Sequence, residues 1–329
     1  MWGRCLNLLN KYQLIIKNGD KIYEPVIEEG IAWETERKCV PGKLTFKVLK
    51  DDIIDFTEGN NVTFYANGKS VFQGFVFTKK RYKDGIISVT AYDQLRYLKN
   101  KDCYIYPKAM TASDLIKALA ADYRMQVGAI EDTEYVIERR VEDNSTLFDI
   151  IQTALGLTLD NRKKLYVLYD DFGKLTLKNI ESMKLDLLVD SETAENYDYT
   201  SSIDSNTYNK VKLFYDNKDT GEREIYYAYS GENINKWGVL QFCDSIDEKT
   251  NGQFKVEALL SMYNRKTRNL SISNAFGDIR VRAGTSVVVN LNLGDVNVNK
   301  YMLVEKVKHV FSNNEHMMNL TLRGADFVE

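Results

Sequence analysis

The sequence has 329 residues, 44% hydrophobic and 28% charged, enough to bury more than one core. Lys and Arg total 44 against 47 Asp and Glu, and the net charge of −3 excludes the basic surface on which dedicated nucleic-acid binders rely. Apolar runs fall short of the roughly twenty residues of a membrane-spanning helix, and the first ten residues are too interrupted for a signal peptide. The chain is therefore expected to be made and kept soluble in the cytoplasm until it assembles.

With 21 Tyr and 14 Phe but only 3 Pro, the composition favours strands that pair along their lengths. Tyr12–Lys17 and Lys21–Tyr23 flank Asn18-Gly19-Asp20, and Asn61–Ala66 and Ser70–Phe77 flank Asn67-Gly68. Such pairs supply the positive φ that tight hairpin turns need. A third turn is expected at Asp84-Gly85, and Leu44–Leu49 alternates with period two, so residues 12–100 read as a small antiparallel barrel or curled sheet. From about residue 105 the period changes. Leu115, Ile116, Leu119, Ala120 and Tyr123 share a helix face that Thr111 can cap, with Asp114 three residues on. A second helix from Ser145 carries Leu147, Phe148, Ile151, Ala154 and Leu155, with Gly156 placed as a left-handed cap, and a hairpin about Asp171-Phe172-Gly173 closes an α+β module over 105–185.

Ser191–Ser205 is polar and reads as a linker. Strands resume at Val211–Tyr215 and Glu224–Tyr229, a helix is expected over Gly252–Lys266, and strands at Ser286–Leu291, Tyr301–Phe311 and His316–Leu322 finish the chain. The expected organisation is a β part, an α+β part, and a second β part interrupted by a helix.

Catalytic chemistry is hard to build from these residues. The two histidines, His309 and His316, fall diagonally on one face of a hairpin turning at Asn313-Asn314, beside Phe311 and Met318. Two imidazoles without a third ligand make no metal site, so packed or rim histidines are expected. Asp51-Asp52 and Asp170-Asp171 sit beside turns and read as solvated turn caps instead of a glycosidase pair. No G-x-S-x-G elbow, phosphate loop or H-E-x-x-H helix occurs. Cys5, Cys39, Cys103 and Cys243 form no C-x-x-C pair and read as reduced, packed thiols. The aromatic residues alternate with acids as often as with bases, which favours core and interface roles over stacking platforms for single strands. No catalytic residue, metal or cofactor is expected.

Several segments carry a resemblance. Val89-Thr90-Ala91-Tyr92-Asp93-Gln94-Leu95-Arg96-Tyr97-Leu98-Lys99-Asn100 resembles the signature of the XkdQ/YqbQ family of phage tail proteins, found in PBSX-like defective prophages and related tails and bacteriocins. Asn235–Gln241, Gly277–Gly284 and Val307–Leu320 look like the same family, in order, from about Tyr12 to the end; the decapeptide before Tyr12 has no clear place in the pattern.

The resemblance implies a non-enzymatic hub joining the tail tube to the central spike. It implies a β-rich α+β fold with two tube-like antiparallel β-barrel domains, 1–105 and 186–329, an α+β module at 106–185, and a helical insertion near 252–266. Its implied partners are further copies of itself in a homotrimer, the tail tube protein, the central spike protein and other baseplate or tape-measure components, with no membrane and no sequence-specific nucleic acid. The implied destination is a virion or tail-like particle. A tail-associated cell-wall hydrolase or a glycan-binding tail-tip module is the alternative.

Candidate interface residues follow from both lines of reading. Asp93 can cap a short helix whose Leu95 and Leu98 tuck under the barrel, with Tyr92 and Arg96 alongside, as a structural corner or an intersubunit contact. Trp237-Gly238 marks a turn packed by an aromatic, and Gly284 a strand-entry turn. The apolar residues Trp2, Leu6, Leu8 and Leu9 are expected to dock on another subunit or a neighbouring tail protein.

Overall fold

The computed structural model describes residues 12–324 except 39, 205, 219, 249–250, 295 and 313–314. Trp2, Leu6, Leu8, Leu9, Cys5, Cys39 and the turn at Asn313-Asn314 therefore lie outside the described residues. The chain forms two compact units: the first runs to Tyr197 and resumes over Ser271–Leu322, and the second is Asp198–Leu270.

The first seven strands are β1 (Tyr12–Asn18), β2 (Lys21–Tyr23), β3 (Ile27–Glu36), β4 (Val40–Leu49), β5 (Asn61–Ala66), β6 (Lys69–Arg81) and β7 (Ile86–Tyr92). Asn67 and Gly68 take φ of 52° and 74°, the two positive values that make the β5–β6 turn tight. Alternation along β4, β5 and β7 turns Leu44, Phe46, Val62, Phe64 and Val89 into one core, while the intervening residues stay half-exposed.

A 3-10 turn at Gln94–Lys99 leads into the module: β8 (Lys101–Ile105), β9 (Met110–Thr111), α1 (Ala112–Asp122), β10 (Val127–Ile130), β11 (Val136–Ile137), β12 (Val141–Thr146), α2 (Leu147–Arg162), β13 (Tyr166–Asp170) and β14 (Leu175–Asn179). Thr111 caps α1 by accepting the Asp114 N–H, and Thr146 and Asp149 form a reciprocal capping box on α2. Gly156 lies inside α2, which runs on to Lys163 at φ 56°. An internal glycine costs about 1 kcal/mol, and the turn beyond it is held by buried Thr158, whose hydroxyl bonds to the Ala154 carbonyl. Leu95 and Leu98 pack into the module core with Leu115, Leu119, Leu147 and Ile151, so they belong to the module and not to the space under the barrel. Their spacing shows which face is buried but not which neighbour buries it.

Next come β15 (Lys184–Asp190) and β16 (Ala194–Ser202). The segment expected as a linker is thus mostly strand, at the end of the sheet order, where polar side chains are tolerated and composition resembles that of a loop.

The second unit holds β17 (Lys210–Asp216), β18 (Arg223–Tyr229), α3 (Gly231–Trp237), β19 (Gln241–Ser245) and α4 (Gly252–Tyr263). Its three strands pair in the order β18-β17-β19, and α4 covers one face through Val256, Leu259 and Leu260 against Val211 and Leu213. The helix expected near 252–266 therefore comes with a sheet of its own. Cys103 and Cys243 are free and exposed, not packed.

The chain ends with β20 (Thr267–Phe276), β21 (Ser286–Asn292), β22 (Asn297–Ser312) and β23 (Glu315–Arg323). Among the described residues a 13-stranded, mostly antiparallel sheet results, with β15 parallel to β21. Strand β22 is its joint. Residues 297–303 pair with β21, and 306–311 pair with β3. Burial changes phase between the two stretches: Val298, Met302 and Val304 face inward, then Glu305, Val307, His309 and Phe311. At the change, Glu305 accepts a bond of 2.7 Å from Arg37 Nε, and its carbonyl accepts the Arg37 backbone N–H at 2.9 Å. The first strand set also curls back onto the joint. Tyr12 of β1 donates its hydroxyl to the Glu315 carbonyl at 2.8 Å, and Phe311 meets the rings of Tyr12 at 5.2 Å and Phe64 at 4.9 Å.

The fold is thus β-rich α+β with a large sheet. Among the described residues its ladders close no barrel, because β1 meets β22 and β23 through side chains. The β3–β22 pairing makes the first and last strands one sheet. Breaking a buried ion pair strands its partner's charge, so Glu305→Ala is expected to cost about 3–5 kcal/mol in chemical denaturation. Arg37→Met/Glu305→Leu should recover most of that loss; a Glu305→Ala cost within experimental error would show the pair is not structural.

Candidate functional site

Among the described residues no group of three His, Cys, Asp or Glu side chains is placed to hold a metal ion. The β3–β22 joint brings the two histidines together instead. His309 is fully buried opposite Trp33 of β3, their rings stacked at 4.9 Å, and His316 stacks on Phe311 at 4.2 Å. His309 Nε2 lies 2.8 Å from the Val281 carbonyl, which can only accept, so Nε2 carries the proton and Nδ1 is the acceptor. His316 Nε2, 2.8 Å from that Nδ1, is therefore the donor. Both rings are neutral: burial and then the neighbouring His316 push His309 down to about 3, and burial pushes His316 down to about 4 although Asp278 opposes it. The nitrogens that would face a metal are mostly spent on this chain of bonds.

A second polar junction fixes the module to the sheet. Asp93 is fully buried and caps the 3-10 turn: Oδ1 accepts the Leu95 N–H at 3.0 Å and Oδ2 the Gly42 N–H at 2.8 Å. A Cβ on Gly42 would stand 2.3 Å from Oδ2, so only glycine admits this approach. Across the junction Asp170, at the end of β13, accepts the Gly173 N–H at 2.6 Å, and its carbonyl accepts Arg282 Nη2 at 2.7 Å. The Arg282 guanidinium also covers the Tyr169 ring at 4.1 Å and stands 3.6 Å from Asp171. Burial, above all, raises the Asp170 carboxyl to about 6, and burial followed by the Asp170 charge raises Asp93 well above the carboxylate range. Asp170 is therefore a buried member of this junction and not a solvated turn cap; the sequence shows the turn but not what lies over it. Asp51 does cap an exposed turn, accepting the N–H groups of Ile53 and Ile54.

The remaining candidates are spread over the molecule. Tyr92 packs edge-on to Phe77 at 5.5 Å, and the Arg96 guanidinium lies 5.4 Å from the same ring. Trp237 is the half-buried last residue of α3, and Gly238, at φ 76°, ends the helix with its carbonyl accepting from Asn209 Nδ2 at 2.7 Å. Sequence reasoning missed the face of the second unit's sheet that α4 leaves open. There Lys210 and Lys212 lie beside exposed Ile225, Tyr227, Tyr229 and Val239 around a hollow of about 460 Å³. The signal was the period-two run Ile225, Tyr227, Tyr229, which reads equally well as a core face.

These polar junctions sit on a framework that comparisons place. The sequence pattern of the YqbQ-like family matches residues 31–323. The chain belongs to the YqbQ-like family. It is 28% identical over 307 residues to the protein YqbQ of Bacillus subtilis strain 168, covering 90% of this chain and 91% of that one. To the XkdQ protein of the phage-like element PBSX of the same strain it is 27% identical, covering 91% of each. In fold it is similar to the 43 kDa tail protein of prophage MuSo2 from Shewanella oneidensis, with a TM-score of 0.67, 15% identity, and 94% and 98% of the two chains covered.

The two junctions of this YqbQ-like chain titrate in opposite directions. The histidines bind protons more weakly folded than unfolded, so their contribution to stability is lost as pH falls from about 6.5 towards 4 and 3. Asp170 binds its proton more tightly folded, so its contribution is present below about 4 and lost as pH rises through about 6. Denaturation of Asp170→Asn at pH 4 and pH 7 should show the variant gaining on the parent as pH rises. His316→Gln should show the reverse, with its relative stability best at the acid end. Parallel pH profiles for parent and both variants would refute the assignment.

Proposed function

We propose that this chain is a structural hub subunit that joins the tail tube to the central spike of a phage or phage-tail-like particle. The observation that carries the reading is the single strand β22, which makes two strand sets parts of one sheet, each able to serve as a tube-like half. The tail and prophage descriptions of similar proteins support it. In this reading the domains are tube-like strand sets within 1–105 and 186–329, the second holding the 252–266 helix, with the 106–185 module between them. Three copies around a channel present six such halves to a hexameric tube and three-fold symmetry to the spike.

The chain works by binding and not by turnover. Buried polar groups that would serve catalysis in an enzyme are spent on holding strands together here. Its partners are copies of itself, the tube protein, the spike protein and other baseplate or tape-measure components, and it ends in a released particle after assembly in the host cytoplasm. Trp2, Leu6, Leu8 and Leu9 dock on one of these partners.

Sedimentation velocity of the purified chain should give a species of three times the chain mass, and peptidoglycan incubated with it should release no fragments. A strict monomer even with tube and spike proteins added, or fragment release by the chain alone, would overturn the reading. Deleting residues 1–10 should weaken assembly with those partners; unchanged assembly would rule out the docking role of that segment.

A further inference from the structure

One loop of the first unit holds an apolar side chain out in water by construction. Asp51–Glu58 carries Asp51, Asp52, Asp55 and Glu58 and no basic residue. The loop is braced from several sides: Asp51 accepts the Ile53 and Ile54 N–H groups, Asn18 Nδ2 donates to the Asp55 carbonyl at 3.0 Å, Lys79 Nζ donates to the Phe56 carbonyl, and the Phe56 ring is buried. The brace leaves Ile53 79% exposed, the largest fraction of any large hydrophobic side chain among the described residues. A scattered exposed aliphatic is ordinary; one fixed at the tip of an ordered acidic loop is shaped as a knob.

The open face of the second unit has the opposite character. The rings of Tyr227 and Tyr229 lie nearly parallel at 6.5 Å, and they pair across the ladder with Lys212 and Lys210. With Ile225 and Val239 they bound the hollow of about 460 Å³, larger than one aliphatic side chain requires and rimmed by two ammonium groups. Arg223, on the same face, is spent on a bidentate pair with Asp216, so among the described residues of this face Lys210 and Lys212 are the cations left to meet a partner's charge.

We propose that the Asp51–Glu58 loop of one copy seats Ile53 in the open sheet face of the second unit of a neighbouring copy, with Asp52 and Asp55 facing Lys210 and Lys212. The occupant is a second copy of this chain because the knob and the hollow are complementary in both polarity and charge. Such a contact is head-to-tail, and it makes a ring where the rotation from copy to copy closes. The inference rests on the homo-oligomer proposed above and names the surfaces that build it. Desolvated charge pairs at its edge set register, and the apolar knob supplies the buried contact.

Sedimentation velocity across a concentration series of the full chain tests it, with circular dichroism confirming that each variant is folded. Ile53→Asp and Lys212→Glu should each raise the concentration of half-assembly about tenfold or more, equivalent to at least about 1.4 kcal/mol. Adding Asp52→Lys to Lys212→Glu should restore most of the lost assembly, a rescue that general loss of stability cannot give. If the parent assembles and the variants assemble at the same concentration, this contact is refuted while the oligomer stands. If the variants weaken assembly but the charge swap gives no rescue, the pairing of loop and face is refuted. If the parent is monomeric throughout, the oligomer reading fails and this contact with it.

Discussion

A strand sixteen residues long that must serve two cores cannot keep one alternation from end to end. Strand β22 solves this by placing two consecutive inward residues, Val304 and Glu305, where its partner changes from β21 to β3. An inward Glu is costly unless paired and bonded, and Arg37, at the end of β3, supplies both a side-chain and a backbone donor to it. The ion pair therefore sits where the phase change needs it. Strands β3 and β4, the aromatic group about Phe311, and the histidine pair all take their positions from the strand that this change redirects.

The same economy holds at the junction between module and sheet. Asp93 secures the 3-10 turn and Gly42 together, and Arg282 reaches back from the segment before β21 to the end of β13. Segments far apart in sequence meet here through polar groups, while the apolar cores lie on either side. These bonds tie the strand sets and the module together within the first unit. The histidine pair and Asp170 are linked to protons in opposite directions, the first losing and the second gaining stabilisation as pH falls.

Local structure was legible in the sequence wherever one residue type has one local job. The Asn67-Gly68 turn, the Thr111 cap and the alternation of β4 follow from turn chemistry, capping and period two. Long-range partnership was not legible. Nothing in Tyr301–Phe311 says that its second half pairs with residues near Trp33, and nothing beside Asp170 says that Arg282 will cover it. Gly156 misled because packing on both sides of it outweighs its propensity, and the strand over 194–202 was hidden because an edge strand shares the composition of a loop. At the candidate site the histidines' common face could be read from their spacing, but their direct bond needed the coordinates. The family resemblance, carried by motifs such as Val89–Asn100, reached further than periodicity because it sums many positions that are individually ambiguous.

The central claim is that this chain is a building part of a tail, positioned by its shared sheet. Electron cryomicroscopy of tail particles assembled in cells that express it, at a resolution that traces β22, tests this most directly. The account predicts a ring of copies at one end of the tube, each with the strand sets on both sides of β22 facing the adjoining tube ring and the spike below. Particles that are complete without density for this chain, or that carry it elsewhere along the tube, would contradict the account.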